Sequence, residues 1–285
     1  MNILAVDTAG KTAGVALLQD DRLLYEVYLD GGMTHSETLM PMIDSCLKMC
    51  GLTCADIDLY AVNAGPGSFT GLRIGLAAVK GLAFPRETLC APVSTLEALA
   101  AAHTGEGTVL CALDARRAQV YSAAFDLATH TRLLDDDARA VTDLADFVEN
   151  CKKPLFFVGD GAGLCYNKYS NVPGVLQTPP ALRGGRAAAV ALVAKQMAAA
   201  GQAVLPEGAF SDFSAAPEQT PCLTITMEQP TALYLRGFTG DTFTDTAWQA
   251  LDAQTLALDG AVVRVEDAGD VLRAVLRAAV AAAAA

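Results

Sequence analysis

The chain has 285 residues, 52% of them hydrophobic, enough for two ordinary domains with sizeable cores. Its formal net charge of -12 repels a polyphosphate backbone and argues against direct binding of nucleic acid, unless another subunit supplies the positive surface. Asp7 interrupts the opening MNILAVDTAG, no uncharged apolar run reaches about 18 residues, and none of the eight cysteines forms a C-x-x-C pair. A cytoplasmic protein with reduced thiols, no secretion signal and no membrane span is therefore expected.

Ile3 to Val6 is a short apolar run ending in Asp7. Ala13 to Leu18 and Leu23 to Leu29 read as strands around Gln19-Asp20-Asp21, so the chain opens as an antiparallel meander. Thr34-His35-Ser36-Glu37 fits a capping box, in which the Thr hydroxyl and the Glu carboxylate each satisfy a free amide; the helix it starts is predicted to reach about Cys50, with Gly51 at its end. A buried strand at Leu59 to Asn63 leads into the glycine-rich NAGPGSFTGLRIG of residues 63–75. A helix then runs to Phe84, stopped by Pro85, and a strand follows near Thr88 to Val93.

The pattern begins again at VLCALDARRAQVYSAAF, which repeats the arrangement of ILAVDTAGKTAGVALL and puts Asp114 in the place of Asp7. A helix near Thr142 to Cys151, a strand at Leu155 to Val158 ending in Gly159-Asp160-Gly161, and an Ala-rich helix from about Gly185 to Ala200 complete the second copy. The expected fold is α/β and duplicated, with lobes at 1–103 and 104–205, each βββαβα. An unassigned extension covers 206–285. It begins with the linker-like EGAFSDFSAAPEQTP, has a strand over Cys222 to Met227, and closes with a helix around Asp270 to Val280.

A strand ending in Asp before a small-residue turn resembles the start of the phosphate site in the actin, Hsp70 and sugar-kinase superfamily. On that reading Asp7, Thr8 and Asp114 mark a degenerate nucleotide cleft; on the other, Asp7 closes an Asx turn. The glycine-rich loop presents backbone amides to an anion, or it is a packing device. It lacks the spacing that places a lysine on the outer phosphates. As a packing device, Gly71, Gly75, Ala78 and Gly81 form a stripe that lets another helix come close, and Leu72, Leu76, Val79 and Ala83 form a second, apolar stripe. Each internal glycine costs about 1 kcal/mol relative to alanine, which close contact would explain. Met33, Met40, Met42 and Met49 lie in or beside the first helix, where adaptable thioethers suit a partner surface or a core.

His35, His103 and His130 lie far apart, and Gly51 separates Cys54 from Cys46 and Cys50, so no metal site is expected. Ser68 is not read as a nucleophile; Ser68 or Thr70 caps the helix. Arg116-Arg117 is either an anion or carboxylate contact or a solvated turn.

VDTAG, the capped helix, NAGPGSFTGLRIGLAAVKGLA, LDARRAQVY and VGDGA occur together and in this order, and over residues 1 to about 205 the chain resembles the TsaB family. The resemblance implies an actin-like (ribonuclease H-like) two-lobe fold. It also implies a non-catalytic subunit, without cofactor, required for threonylcarbamoyl transfer to adenosine 37 of tRNA. Such a subunit docks on a TsaD-like transferase, meets a TsaE-like ATPase through the complex, and touches tRNA only indirectly. The contact residues are then Met40, Ile43, Leu47, Leu72, Gly75, Leu76 and Val79, on helices that can also pair two copies. The rival expectation is an ATP-dependent phosphotransferase using Asp7 and Asp114. Residues 206–285 fall outside the resemblance; Tyr234-Leu235-Arg236, which family members carry near their end, is displaced here.

Overall fold

Two five-stranded sheets with the same strand order organise the first two hundred residues. The structure, a computed structural model, describes residues 1–206 and, by backbone alone, strand segments between 224 and 264. The chain divides into two units, Met1–Phe213 and Ser214–Ala285.

The first sheet is built from β1 (Asn2–Asp7), β2 (Ala13–Gln19), β3 (Arg22–Leu29), β4 (Leu59–Gly65) and β5 (Leu89–Ser94), in the order β3-β2-β1-β4-β5. The meander β1-β2-β3 is antiparallel, and β4 and β5 add in parallel. Between the strands run α1 (His35–Cys50) and α2 (Phe69–Ala83), and α3 (Thr95–Ala101) follows β5.

The second sheet repeats this plan with β6 (Thr108–Arg116), β7 (Gln119–Asp126), β8 (Arg132–Ala140), β9 (Leu155–Val158) and β10 (Val175–Leu176), in the order β10-β9-β6-β7-β8. Its helices are α4 (Ala145–Asn150), α5 (Ala162–Tyr169) and α6 (Ala187–Ala199). The central strands β1, β4 and β6 are near-continuous apolar runs because both of their faces are covered.

Leu39, Met42, Ile43, Cys46 and Leu47 follow the spacing of one helix face and pack with Leu72, Leu76 and Val79 of α2 on Leu4, Val6, Val15 and Leu17 of the first sheet. The other face of that sheet is covered from the far end of the unit, since Val190, Ala191, Val193 and Ala194 of α6 lie against Ile3, Ala5, Ala61, Ala91 and Val93. Leu96, Leu99 and Ala100 of α3 do the reverse and pack on Val109, Cys111, Ala123 and Phe125 of the second sheet. Division at 103/104 therefore describes chain order, while the packing exchanges the last helix of each copy.

Several local expectations change. Thr34 is the N-cap of α1, but its side chain makes no cap bond to the backbone; Oγ1 donates instead to Glu37 Oε2 at 2.8 Å. Gly51 closes the helix with a left-handed φ of 67°. A 3-10 turn, Val141–Leu144, precedes the short α4. In the second unit, β11 (Thr224–Gln229), β12 (Ala232–Thr239), β13 (Thr242–Asp252), β14 (Thr255–Leu258) and β15 (Ala261–Arg264) form an antiparallel meander in chain order. Its first strand falls close to the one read from Cys222 to Met227, and Tyr234-Leu235-Arg236 lies within β12. The linker at 207–221 and the helix expected around Asp270 to Val280 lie outside the described residues.

Candidate functional site

The glycine-rich segment closes on the chain's own first turn. After β4, Gly65 and Gly67 take φ values of 128° and 157°, which side-chain-bearing residues rarely adopt. The loop then turns into α2, where Ser68 accepts a bond from Gly71 N at 3.3 Å as the N-cap. Ser68 N donates to Ala9 O at 2.6 Å, and Thr8 Oγ1 donates to Gly71 O at 2.8 Å. A Cβ at Gly71 would overlap the Thr8 carbonyl oxygen, and one at Gly75 the Thr8 hydroxyl. Of the two readings of NAGPGSFTGLRIG, the packing device is the one realised, and what it admits is the β1–β2 turn rather than a second polypeptide.

This corrects the contact set drawn from the sequence. Ile43, Leu47, Leu72, Leu76 and Val79 keep at most 8% of their surface, and Gly75 is buried as well. They form the inner stripe of α1 and α2, because the sheet beneath must be covered before any partner is. Met40 alone of the set faces out, at 47% exposure.

The outward stripe runs along α2 from Phe69, and Met40 is exposed on α1; Met33, Met49 and Phe84 are exposed at the helix ends, Met49 half a turn round α1 from Met40. The Arg73 guanidinium sits 3.7 Å from the centroid of the Phe69 ring, and Ala77 and Gly81 continue the stripe. The signal for it was in the sequence: Phe69, Arg73, Ala77 and Gly81 recur every fourth residue, one step beyond the row 72, 76.

A cleft of about 230 Å³ opens between the lobes, lined by Asp7, Gly10, Lys11, Thr12 and Tyr28 on one side and by Leu113, Gly159, Asp160, Pro180 and Arg183 on the other. Asp7 accepts bonds from Ala9 N at 3.2 Å and from Asn63 Nδ2 at 2.7 Å. Burial pushes its carboxyl up to about 6, against the lowering effect of those two bonds.

The other two cleft candidates do not line the cleft. Thr8 is fully buried with its hydroxyl committed to Gly71. Asp114 is folded into its own turn, where Oδ1 accepts from Arg116 N at 2.8 Å, while the Asp114 amide donates to Asp160 Oδ1 at 2.8 Å. Arg116, Arg117 and Ala118 there all take left-handed φ values, of 70°, 51° and 60°. Asp160, in the glycine turn after β9 that the sequence left open between a nucleotide contact and a tight turn, is the carboxylate that the second lobe brings to the cleft.

Cys46 lies in the core, its thiol pushed up to about 12 by burial. Among the described residues no group of three or more His, Cys, Asp or Glu side chains comes together to hold a metal ion, and no helix is long and apolar enough to cross a membrane.

Two sheets of one strand order, with terminal helices exchanged and a cleft between them, define a duplicated actin-like fold. The model of the family described as TsaD: tRNA N6-adenosine threonylcarbamoyltransferase matches residues 31–203. The tRNA threonylcarbamoyladenosine biosynthesis protein TsaB of Bacillus subtilis is 33% identical over 167 residues, 58% of this chain and 73% of that one. The Escherichia coli protein of the same name is 38% identical over 128 residues, but the match spans only 55% of its length. Among solved structures, YeaZ from Pseudomonas aeruginosa superposes with a TM-score of 0.60 at 29% identity, over 73% of this chain and 97% of that one. The chain therefore belongs to the family of that model and, within it, to the TsaB proteins.

Proposed function

We propose that this chain takes part in the biosynthesis of tRNA threonylcarbamoyladenosine as a non-catalytic subunit that docks on a TsaD-type transferase through the outer face of α1 and α2. The observation that carries the reading is the exposure of large apolar side chains away from the sheet, Met40 on α1 and Phe69 on α2, with Phe84 exposed at the end of α2. Unbranched thioethers adapt to a facing surface. Phe69, held under a guanidinium, supplies a rigid aromatic anchor.

The family match supports a partner of the same fold, whose own pair of helices can pack on this pair. With a net charge of -12 on this chain, the RNA is held by the transferase side. A TsaE-like ATPase joins through the assembled complex, and two copies of this chain pair by the same face when the transferase is absent.

The phosphotransferase reading has less support. Asp7 is buried and already accepts two hydrogen bonds, and Asp114 lies outside the cleft. The deciding measurement is the affinity for the TsaD-type transferase of the source cell. Phe69→Glu and Phe84→Glu are each expected to weaken it by about a hundredfold, since each buries an unpaired charge. Unchanged affinity in both variants removes the docking face. A saturable, tight calorimetric isotherm of the isolated chain with magnesium and ATP would favour the phosphotransferase.

A further inference from the structure

One cleft-lining turn is bonded to the starts of both docking helices. Between β1 and β2, Gly10, Lys11 and Thr12 line the interlobe cleft. The carbonyls of this turn point the other way. The Thr8 carbonyl lies against the Cα of Gly71, Ala9 O accepts from Ser68 N at 2.6 Å, and Gly10 O lies 2.9 Å from His35 Nε2. A carbonyl can only accept, so Nε2 carries its hydrogen. The other ring nitrogen, Nδ1, is buried without a partner. His35 is the first residue of α1, and Ser68 caps α2.

These joints have no slack. Any approach of α2 toward β1 drives the Gly71 and Gly75 backbone into Thr8, whose hydroxyl is already bonded to Gly71 O. A close-packed contact of this kind transmits a shift rather than absorbing it.

We infer that the Thr8–Thr12 turn links the two faces of the first lobe. A protein held on the outer face of α1 and α2 orders the turn and is thereby felt in the cleft. By reciprocity, whatever settles in the cleft changes the affinity for that protein by the same factor. His35 and Thr8 are the positioning residues of this link. The inference rests on the docking reading above and adds to it a route from the docking face to the cleft.

Hydrogen–deuterium exchange of the full chain, alone and saturated with the TsaD-type transferase, tests it. In the unaltered chain, binding is expected to slow exchange in the α1 and α2 peptides and also, by about threefold or more, in a peptide covering residues 8–13. A peptide over 126–131, the β7–β8 turn, serves as the control and stays unchanged. His35→Ala and Thr8→Val are expected to speed exchange of 8–13 in the free chain and to abolish its protection by the partner, while α1 and α2 remain protected. His35→Gln, which keeps a donor for Gly10 O, restores the link. Protection of α1 and α2 with no change at 8–13 overturns the inference and leaves the docking reading standing. An α1–α2 face that the transferase leaves unprotected overturns both.

Discussion

Asn63 donates to Asp7 Oδ1 at 2.7 Å inside a core where Asp7 keeps 3% of its surface. Burial raises the carboxyl from 3.8 to about 6, so between those values the folded chain holds a proton that the unfolded chain has lost. The sign follows. The contribution of Asp7 to stability is fully present below about pH 4 and is lost as pH rises through about 6, with a span of order 3 kcal/mol. Asp7→Asn keeps an acceptor for Ala9 N and Asn63 without the buried charge. The stability difference between the unaltered chain and this variant, measured by denaturant unfolding, should move in favour of the variant between pH 4 and 7. A difference that stays flat over that range would show that the carboxylate is ionised in the fold at no cost.

The glycines of α2 divide into two kinds, and a pair of substitutions separates them. Alanine at Gly71 or Gly75 meets Thr8, so each should destabilise the free chain by about 1–3 kcal/mol despite the better helix propensity. At Gly81 a Cβ meets nothing within 4 Å, and Gly81→Ala should stabilise the free chain by roughly 0.5–1 kcal/mol. Thermal unfolding of the three variants gives the order. If Gly81→Ala nonetheless weakens binding to the transferase, the clearance at that position serves the partner. If all three shift the midpoint alike, Gly81 packs on the fold as Gly71 and Gly75 do, and its clearance is not kept for a partner.

Much of this was legible in the sequence, for physical reasons that also mark where legibility stopped. Strands β1, β2 and β4, the two long helices and the equivalence of Asp7 with Asp114 follow from apolar runs, period and repetition. Helix α3, seven residues long, and the two-residue β10 are too short to show a period. That α6 crosses to the first sheet is a long-range fact, which no local pattern of alanines encodes. The docking residues failed differently: Leu72, Leu76 and Val79 do form a stripe, but a stripe says only that something covers it, and here the cover is the chain's own sheet. Phe69 opens α2 on the less continuous stripe, and Phe84 stands at its C-cap, where the more regular row of Leu72, Leu76 and Val79 draws the eye away from them. Thr8 was placed in a cleft because it follows Asp7, although its hydroxyl turns to Gly71.

The thiols sort by the same burial. Among the described residues, Cys46, Cys90, Cys111 and Cys165 are buried, with Cys90 pushed up to about 11 and Cys111 raised further by the loss of solvent. Cys50, Cys54 and Cys151 are partly exposed. Brief alkylation of the native chain near pH 8, followed by peptide mass spectrometry, should label the partly exposed set first and leave the buried four untouched until denaturant is added. Early labelling of Cys46 would mean that α1 lifts from the sheet in the free chain.

The exchange of helices between lobes concentrates one interaction at Glu26. From β3, its Oε1 accepts from Ala188 N at 3.1 Å, in the first turn of α6, and its carboxylate forms an ion pair with Arg186. The helix has no cap from its own sequence, since Arg186 stands at the N-cap without a side-chain bond. Glu26 therefore does from another strand what a capping residue does locally, with the helix dipole adding to the attraction. Removing it in Glu26→Ala should cost about 1–2 kcal/mol, most of it from the freed amide, because Arg186 is half exposed and its ion pair is screened. Two comparisons isolate the cap. Glu26→Gln keeps an acceptor for Ala188 N and should recover more than half of the loss, whereas Arg186→Ala should cost a few tenths. An Arg186→Ala loss as large as that of Glu26→Ala would make the ion pair the dominant tie between α6 and the first sheet.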